Sequence, residues 1–118
     1  MTVRRIVANI SVPEDGLEAA RRFYGGVLEM DVAMDLGWIV TFHSDATTTP
    51  QLSVASQGGS GTPVPELSVE VDDLDAVRRR AVAAGYEVEY GPVTESWGVR
   101  RFFVRDPFGR LVNILCHI

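Results

Sequence analysis

A single cysteine, Cys116, leaves no possibility of an internal disulfide, and nothing in the sequence calls for an oxidising compartment. Long apolar runs are missing too. No stretch approaches the roughly 20 residues of a membrane span, and the apolar segment after Arg4-Arg5 is broken by Asn9, Ser11 and Pro13, which makes it a poor secretory signal. Positive charge is scarce: 11 Lys+Arg stand against 16 Asp+Glu, a net charge of −5. That balance disfavours nucleic acid, which needs clustered cations, and suits neutral or cationic small molecules. A P-loop, a dinucleotide fingerprint, a Cys-x-x-Cys pair and a serine-hydrolase elbow are all absent, so nucleotide and nucleophile chemistry have no support. What is present is 118 residues, 46% apolar and 23% charged, outside the regime of disorder. This length suits one domain, 1–118, that buries roughly two-thirds of its unfolded surface, and the plain expectation is a cytoplasmic globular protein.

The chain repeats itself. Ile10-Ser11-Val12 followed by Leu17-Glu18-Ala19-Ala20-Arg21-Arg22 has an echo in Val69-Glu70-Val71 followed by Leu74-Asp75-Ala76-Val77-Arg78-Arg79. Gly37 to Phe42 likewise aligns with Gly98 to Phe103. Two units result, about 3–57 and 64–118, joined by the glycine-rich connector Gln57 to Pro63.

Each unit reads strand, helix, then three strands. Ile6, Ala8, Ile10 and Val12 alternate with Val7, Asn9 and Ser11, and Leu17, Ala20, Phe23, Tyr24, Val27 and Leu28 recur at helical spacing. Gly25-Gly26 makes the last turn of that helix irregular. Short apolar runs at 30–34, 37–43 and 51–55 complete the first unit. In the second, Leu67, Val69 and Val71 alternate, and Asp72-Asp73 caps a helix that stops at Gly85. Strands follow near 87–93, 99–105 and 111–117. Asp106-Pro107-Phe108-Gly109 joins the last two as a turn. A type I turn with a glycine bulge pairs Phe103 with Asn113 and turns Phe102 to the helices; a simple two-residue turn exchanges those roles.

Arg22-Phe23-Tyr24 with Val27-Leu28, Val71-Asp72-Asp73-Leu74-Asp75, and Arg105-Asp106-Pro107-Phe108-Gly109-Arg110-Leu111 follow one another over nearly the whole chain. In this order they resemble the vicinal oxygen chelate superfamily of glyoxalase I, extradiol dioxygenases and bleomycin resistance proteins. The resemblance implies an α+β fold of two βαβββ modules, eight strands curled into a cup with helices outside, and a homodimer. It also implies that catalytic members hold a divalent metal in the cup. The positions matching the metal ligands are Val7, Gln51, Glu66 and Asn113, of which only Glu66 offers charge, so no metal and no cofactor are expected.

The same likeness points to a small organic ligand bound in an aromatic-lined cup, drug sequestration being one form of it. Glu66 would set polarity or, if desolvated, act as a base; Gln51 and Asn113 would orient the ligand. Trp38, Phe42, Trp97 and Phe103 would offer flat rings, though ordinary core packing accounts for each of them equally. A solvated carboxylate is the equal alternative reading of Glu66. The alternative is a metal-dependent lyase, isomerase or dioxygenase with an atypical ligand set. Arg78-Arg79-Arg80 reads as a solvated helix face, and Arg100, Arg101 and Arg105 would either meet an anion or pair with the acids of 87–95.

Overall fold

The computed structural model describes residues 1–48 and 50–118. The elements are α1 (Leu17–Ala20), which runs on as a π turn over Arg21–Val27, then β1 (Asp31–Asp35), β2 (Val40–His43), β3 (Leu67–Glu70), α2 (Leu74–Ala83), β4 (Val88–Thr94), β5 (Val99–Arg105) and β6 (Leu111–His117). This is an α+β arrangement. β1 and β2 form an antiparallel pair, and the other four strands form a sheet in the order β3-β6-β5-β4, with β3 and β6 parallel.

Alternation along β5 and β6 separates two faces of the larger sheet. Phe102, Val104, Val112 and Ile114 are buried on the helix side, beneath Leu74, Val77 and Ala81 of α2 and Phe23, Tyr24 and Val27 of the first helix. Asp106 fixes which residues go where. Its Oδ1 accepts from the backbone N–H of Phe108 and of Arg110 at 2.9 Å each. Gly109 takes φ +82°, and its N–H donates to the Asp106 carbonyl at 3.1 Å. The bulged turn is the one formed: Phe103 pairs with Asn113. Phe103 therefore lies on the face away from the helices.

Local signals fix the helices. Asp73 caps α2 by accepting from the Ala76 N–H at 3.0 Å. The helix ends where Gly85 reaches φ +90°, with Tyr86 N–H bonded to the Ala81 carbonyl and Gly85 N–H to that of Val82. In the first helix, Gly25-Gly26 coincides with a switch to π bonding, Leu28 N–H donating to the Phe23 carbonyl at 3.1 Å. Phe23 meets Tyr24 and Tyr86 edge to face at 4.9 and 5.0 Å.

Two expected strands are not formed. Residues 6–12 and 51–55 make no strand pairing, so the described residues contain six strands instead of eight. Ile6 and Val7 are 50% and 51% exposed, and Leu52 and Val54 are 80% and 94% exposed. The physical reason lies in the helix layer. The first helix turns most of its apolar face to the second unit's sheet, and of residues 6–12 and 51–55 only Ile10 packs against that core. The arginine run also differs from a simple solvated face: Arg80 Nε donates to the Val27 carbonyl at 2.9 Å and ties α2 to the end of the π turn.

The Tyr24 hydroxyl donates to Asp106 Oδ2 at 2.7 Å, joining the first helix to the last hairpin. Burial, then this bond, pushes the phenol well above its ordinary value. Tyr24→Phe is expected to cost about 1–3 kcal/mol, because a buried carboxylate oxygen loses its donor. The urea midpoint measures it, and an unchanged midpoint would show that the bond holds nothing.

Candidate functional site

The sheet face away from the helices carries Arg101 and Phe103 from β5, Leu111 and Asn113 from β6, and Ser68 from β3. The connector crosses this face. Arg101 Nη1 donates to the Gly58 carbonyl at 2.9 Å, and Ser60 Oγ donates to Glu95 at 3.1 Å. A cavity of about 290 Å³ lies beneath, roofed by Ser60 to Pro63 and floored by Tyr90, Phe103 and Leu111. The Tyr90 and Phe103 rings stand 5.2 Å apart at 53°. At the rim, Arg105 and Glu89 pair at 2.8 Å. A larger and shallower hollow of about 370 Å³ by Arg22, Gly26 and Arg80 has no aromatic lining and carries less chemistry.

Charge on this face is paired. Arg101 and Glu95, both almost fully buried, meet at 2.6 Å. Burial pushes the Glu95 carboxyl up, but the bonds from Arg101, Ser60 and Tyr90 outweigh it and hold the group below its ordinary value. Glu66 is bound by Arg110 at 2.9 Å. The Arg110 bond holds the Glu66 carboxyl below its ordinary value, the direction opposite to that of a base poised near neutrality. Asn113 is only 7% exposed; its Nδ2 donates to Ser68 Oγ at 3.1 Å, while its buried Oδ1 has no partner among the described residues.

The sequence-based candidates divide into two groups. Trp97 and Phe103 come together around the Arg101 guanidinium, at 5.0 and 4.8 Å from their ring centroids, with Asn113 beside Phe103 in the ladder. Glu66 stands at the exposed end of the same face. The others lie elsewhere. Trp38 is 76% exposed, Phe42 packs on Tyr24 at 5.8 Å in the helix layer, and Gln51 is exposed on an unpaired segment. Tyr90, Glu95 and the connector were not among the candidates. The one signal for them was the acidic segment 87–95, which offered Arg101 and Arg105 partners. Arg100 pairs instead with Asp75 of α2, at 2.9 Å.

A divalent metal of the kind that the sequence resemblance implies for catalytic members does not fit these residues. Val7 has no donor atom and Gln51 is exposed, so in one chain they share no interior with Glu66 and Asn113. Glu66 and Asn113 are engaged by Arg110 and Ser68. Among the described residues no three His, Cys, Asp or Glu side chains gather as a metal would need.

Comparison with known proteins agrees with the fold. Residues 6–114 match the family model described as the Glyoxalase/Bleomycin resistance protein/Dioxygenase superfamily. The fold is similar to that of TnmS3, an antibiotic binding protein from Streptomyces sp. CB03234, at TM-score 0.65 and 22% identity over 92% of this chain and 93% of that one. It is similar also to a lactoylglutathione lyase from Agrobacterium tumefaciens, at TM-score 0.62 and 21% identity over 98% and 95% of the two chains. TioX from Micromonospora sp. ML1 gives TM-score 0.55 and 19% identity over 86% and 88%. No curated protein matches the chain. No helix is long and apolar enough to cross a membrane among the described residues.

Because the Glu95 carboxyl is held below its unfolded value, its contribution to stability is present above that unfolded value, about 4.3, and disappears as pH falls through the lower folded value. Urea midpoints followed into acid are expected to fall more steeply for the native chain than for Glu95→Gln. Parallel acid limbs would contradict this assignment.

Proposed function

The chain belongs to the Glyoxalase/Bleomycin resistance protein/Dioxygenase superfamily, and on that premise we propose that it is a metal-free small-molecule binding protein. Its ligand is a planar organic molecule held in the roofed cavity against Tyr90 and Phe103, and drug sequestration is the form suggested by the likeness to TnmS3. One observation carries this reading: the cavity has an aromatic floor, and the carboxylates around it are already paired with arginines. Such a site holds a flat molecule and has no free base to act on it. At about 290 Å³ the space suits a single ring system, near the lower end of ligand pockets.

The binding unit is a homodimer in this reading. The chain exposes 8026 Å², whereas a compact chain of its 12.9 kDa exposes about 6300 Å². The excess exceeds the roughly 800 Å² that each partner of a standard interface buries. Its location is informative: Trp38, Met34, Leu52 and Val54 are exposed apolar groups of the first unit. A second copy that paired with residues 51–55 would cover them and bring Trp38 and Gln51 to a shared cup.

A panel of planar and cationic antibiotics is expected to contain members that raise the melting temperature and quench tryptophan fluorescence. Phe103→Leu, which keeps an apolar side chain and removes the ring, should weaken binding by roughly tenfold. A panel without any effect would end the binding reading, and turnover of a ligand would favour an enzyme. Sedimentation equilibrium is expected to give twice 12.9 kDa for the native chain and 12.9 kDa for Leu52→Asp. A native monomer would remove the dimer from this account.

A further inference from the structure

Arg101 is only 3% exposed, an unusual place for a cation. Its guanidinium carbon lies 4.8 Å from the Phe103 ring centroid, 5.0 Å from that of Trp97 and 5.4 Å from that of Tyr90. Nε and Nη2 reach the Glu95 carboxylate at 2.9 and 2.6 Å. Three aromatic rings and a carboxylate form a receptor for a planar cation. The receptor is itself braced, since the Tyr90 hydroxyl donates to Glu95 at 3.1 Å.

The remaining donors of Arg101 do not serve the sheet. Nη1 reaches the Gly58 carbonyl at 2.9 Å and Nη2 the Gly59 carbonyl at 3.4 Å, both in the connector. Ser60 Oγ bonds the same Glu95 at 3.1 Å. The connector is curled on itself, with Gly58 N–H on the Thr62 carbonyl at 2.8 Å and Thr62 N–H on the Gly59 carbonyl at 2.9 Å. Gly59 adopts φ +86°, and a Cβ there would stand 2.7 Å from the Trp97 ring, so backbone lies directly on the indole. Residues 58–62, Gly-Gly-Ser-Gly-Thr, have no large apolar side chain with which to anchor themselves. Ordering them costs much entropy, and the contacts that offset it converge on Arg101, Glu95 and Trp97.

We propose that Tyr90, Trp97, Phe103 and Glu95 form a guanidinium site whose occupant the chain itself supplies, and that Arg101 seated there latches residues 58–62 as the roof of the cavity. Lifting the roof replaces the Gly58 and Gly59 carbonyls and the Ser60 hydroxyl with water, while Glu95 and the rings keep Arg101 in place. The cavity therefore opens without unfolding the sheet. Arg101 and Glu95 are positioning residues for that roof.

Hydrogen exchange read by mass spectrometry over 57–63 tests the latch. The Gly58 and Thr62 amides are expected to be protected in the native chain. In Trp97→Ala, which leaves the Arg101–Glu95 pair intact, they should exchange roughly tenfold faster while β5 and β6 keep their protection. Arg101→Ala should lose the same protection and regain it in millimolar ethylguanidinium, with ethylammonium less effective. If Arg101→Ala does not fold, the double variant Arg101→Met with Glu95→Gln, which leaves no buried charge unpaired, should show the same exposed connector. Native amides that exchange at the rate of an unstructured chain, protection unchanged in Trp97→Ala, or a folded Arg101→Ala indifferent to ethylguanidinium would each overturn the proposal. No ligand is needed for this result: an antibiotic panel without effect removes the binding reading and leaves the latch standing.

Discussion

Phe23, fully buried, and Tyr24, 8% exposed, press onto a sheet built from the other half of the chain, where they meet Phe102, Val104, Val112 and Ile114. A helix has one apolar stripe to bury, and here it is spent across the repeat. The second unit thereby receives two covering helices, its own α2 and the first unit's helix. The first unit is left with the β1–β2 pair, marginal by itself as any lone two-stranded ribbon is. Tyr24 reinforces the choice through its bond to Asp106, because the same carboxylate shapes the turn that sets the β5–β6 register. Packing of the helix and pairing of Phe103 with Asn113 are thus coupled through one side chain.

That register decides the chemistry of the outer face. With Phe102 in the core, Arg101 and Phe103 fall together on the opposite side, where Glu95 and the connector wait. A charge at Arg101 away from water is tolerable only because its donors are filled and its faces are covered by rings. The same logic runs along the sheet through Arg105 with Glu89 and Arg110 with Glu66. These pairs leave an essentially neutral, partly aromatic surface within a chain of net charge −5. A flat ligand meets less opposition there than an anion would.

Much of this was legible in the residues. Period-two alternation located β5 and β6 to the residue, Asp73 and Gly85 bounded α2, and Gly25-Gly26 marked the irregular turn of the first helix. Each of these signals is local, acting over a few residues. The failures are of another kind. Alternation in 6–12 and 51–55 says that such a segment has two faces; it does not say that a partner strand is present in the same chain. Phe42, whose place on a strand allows either a cup ring or core packing, is drawn by Tyr24 into the helix layer. The sequence leaves Glu66 open between a desolvated base and a solvated carboxylate, and it is Arg110, 44 residues away, that pairs with it at the surface. The Arg101 centre draws on Gly58, Glu95 and three rings scattered over the second half, which no short motif encodes.

All 11 basic residues of the chain are arginine, and Arg101 shows what that choice permits. A lysine ammonium in the same place is a compact, strongly hydrated point charge, able to sit over one ring or bond one carboxylate but lacking a flat surface to lay against several. The guanidinium is a plane with donors around its edge. Its faces take Phe103, Trp97 and Tyr90, one side of the edge takes Glu95, and the other side still reaches the carbonyls of Gly58 and Gly59. One buried side chain can therefore belong to the sheet and hold the connector at once. Arg80 repeats the division of labour on the other side of the molecule, bonding the Val27 carbonyl through Nε while Nη1 lies 3.7 Å from Glu29. In both places a loop or helix end is fixed by its carbonyls, the one acceptor that every residue carries, and the fork of an arginine is the donor that can reach them without giving up its acid.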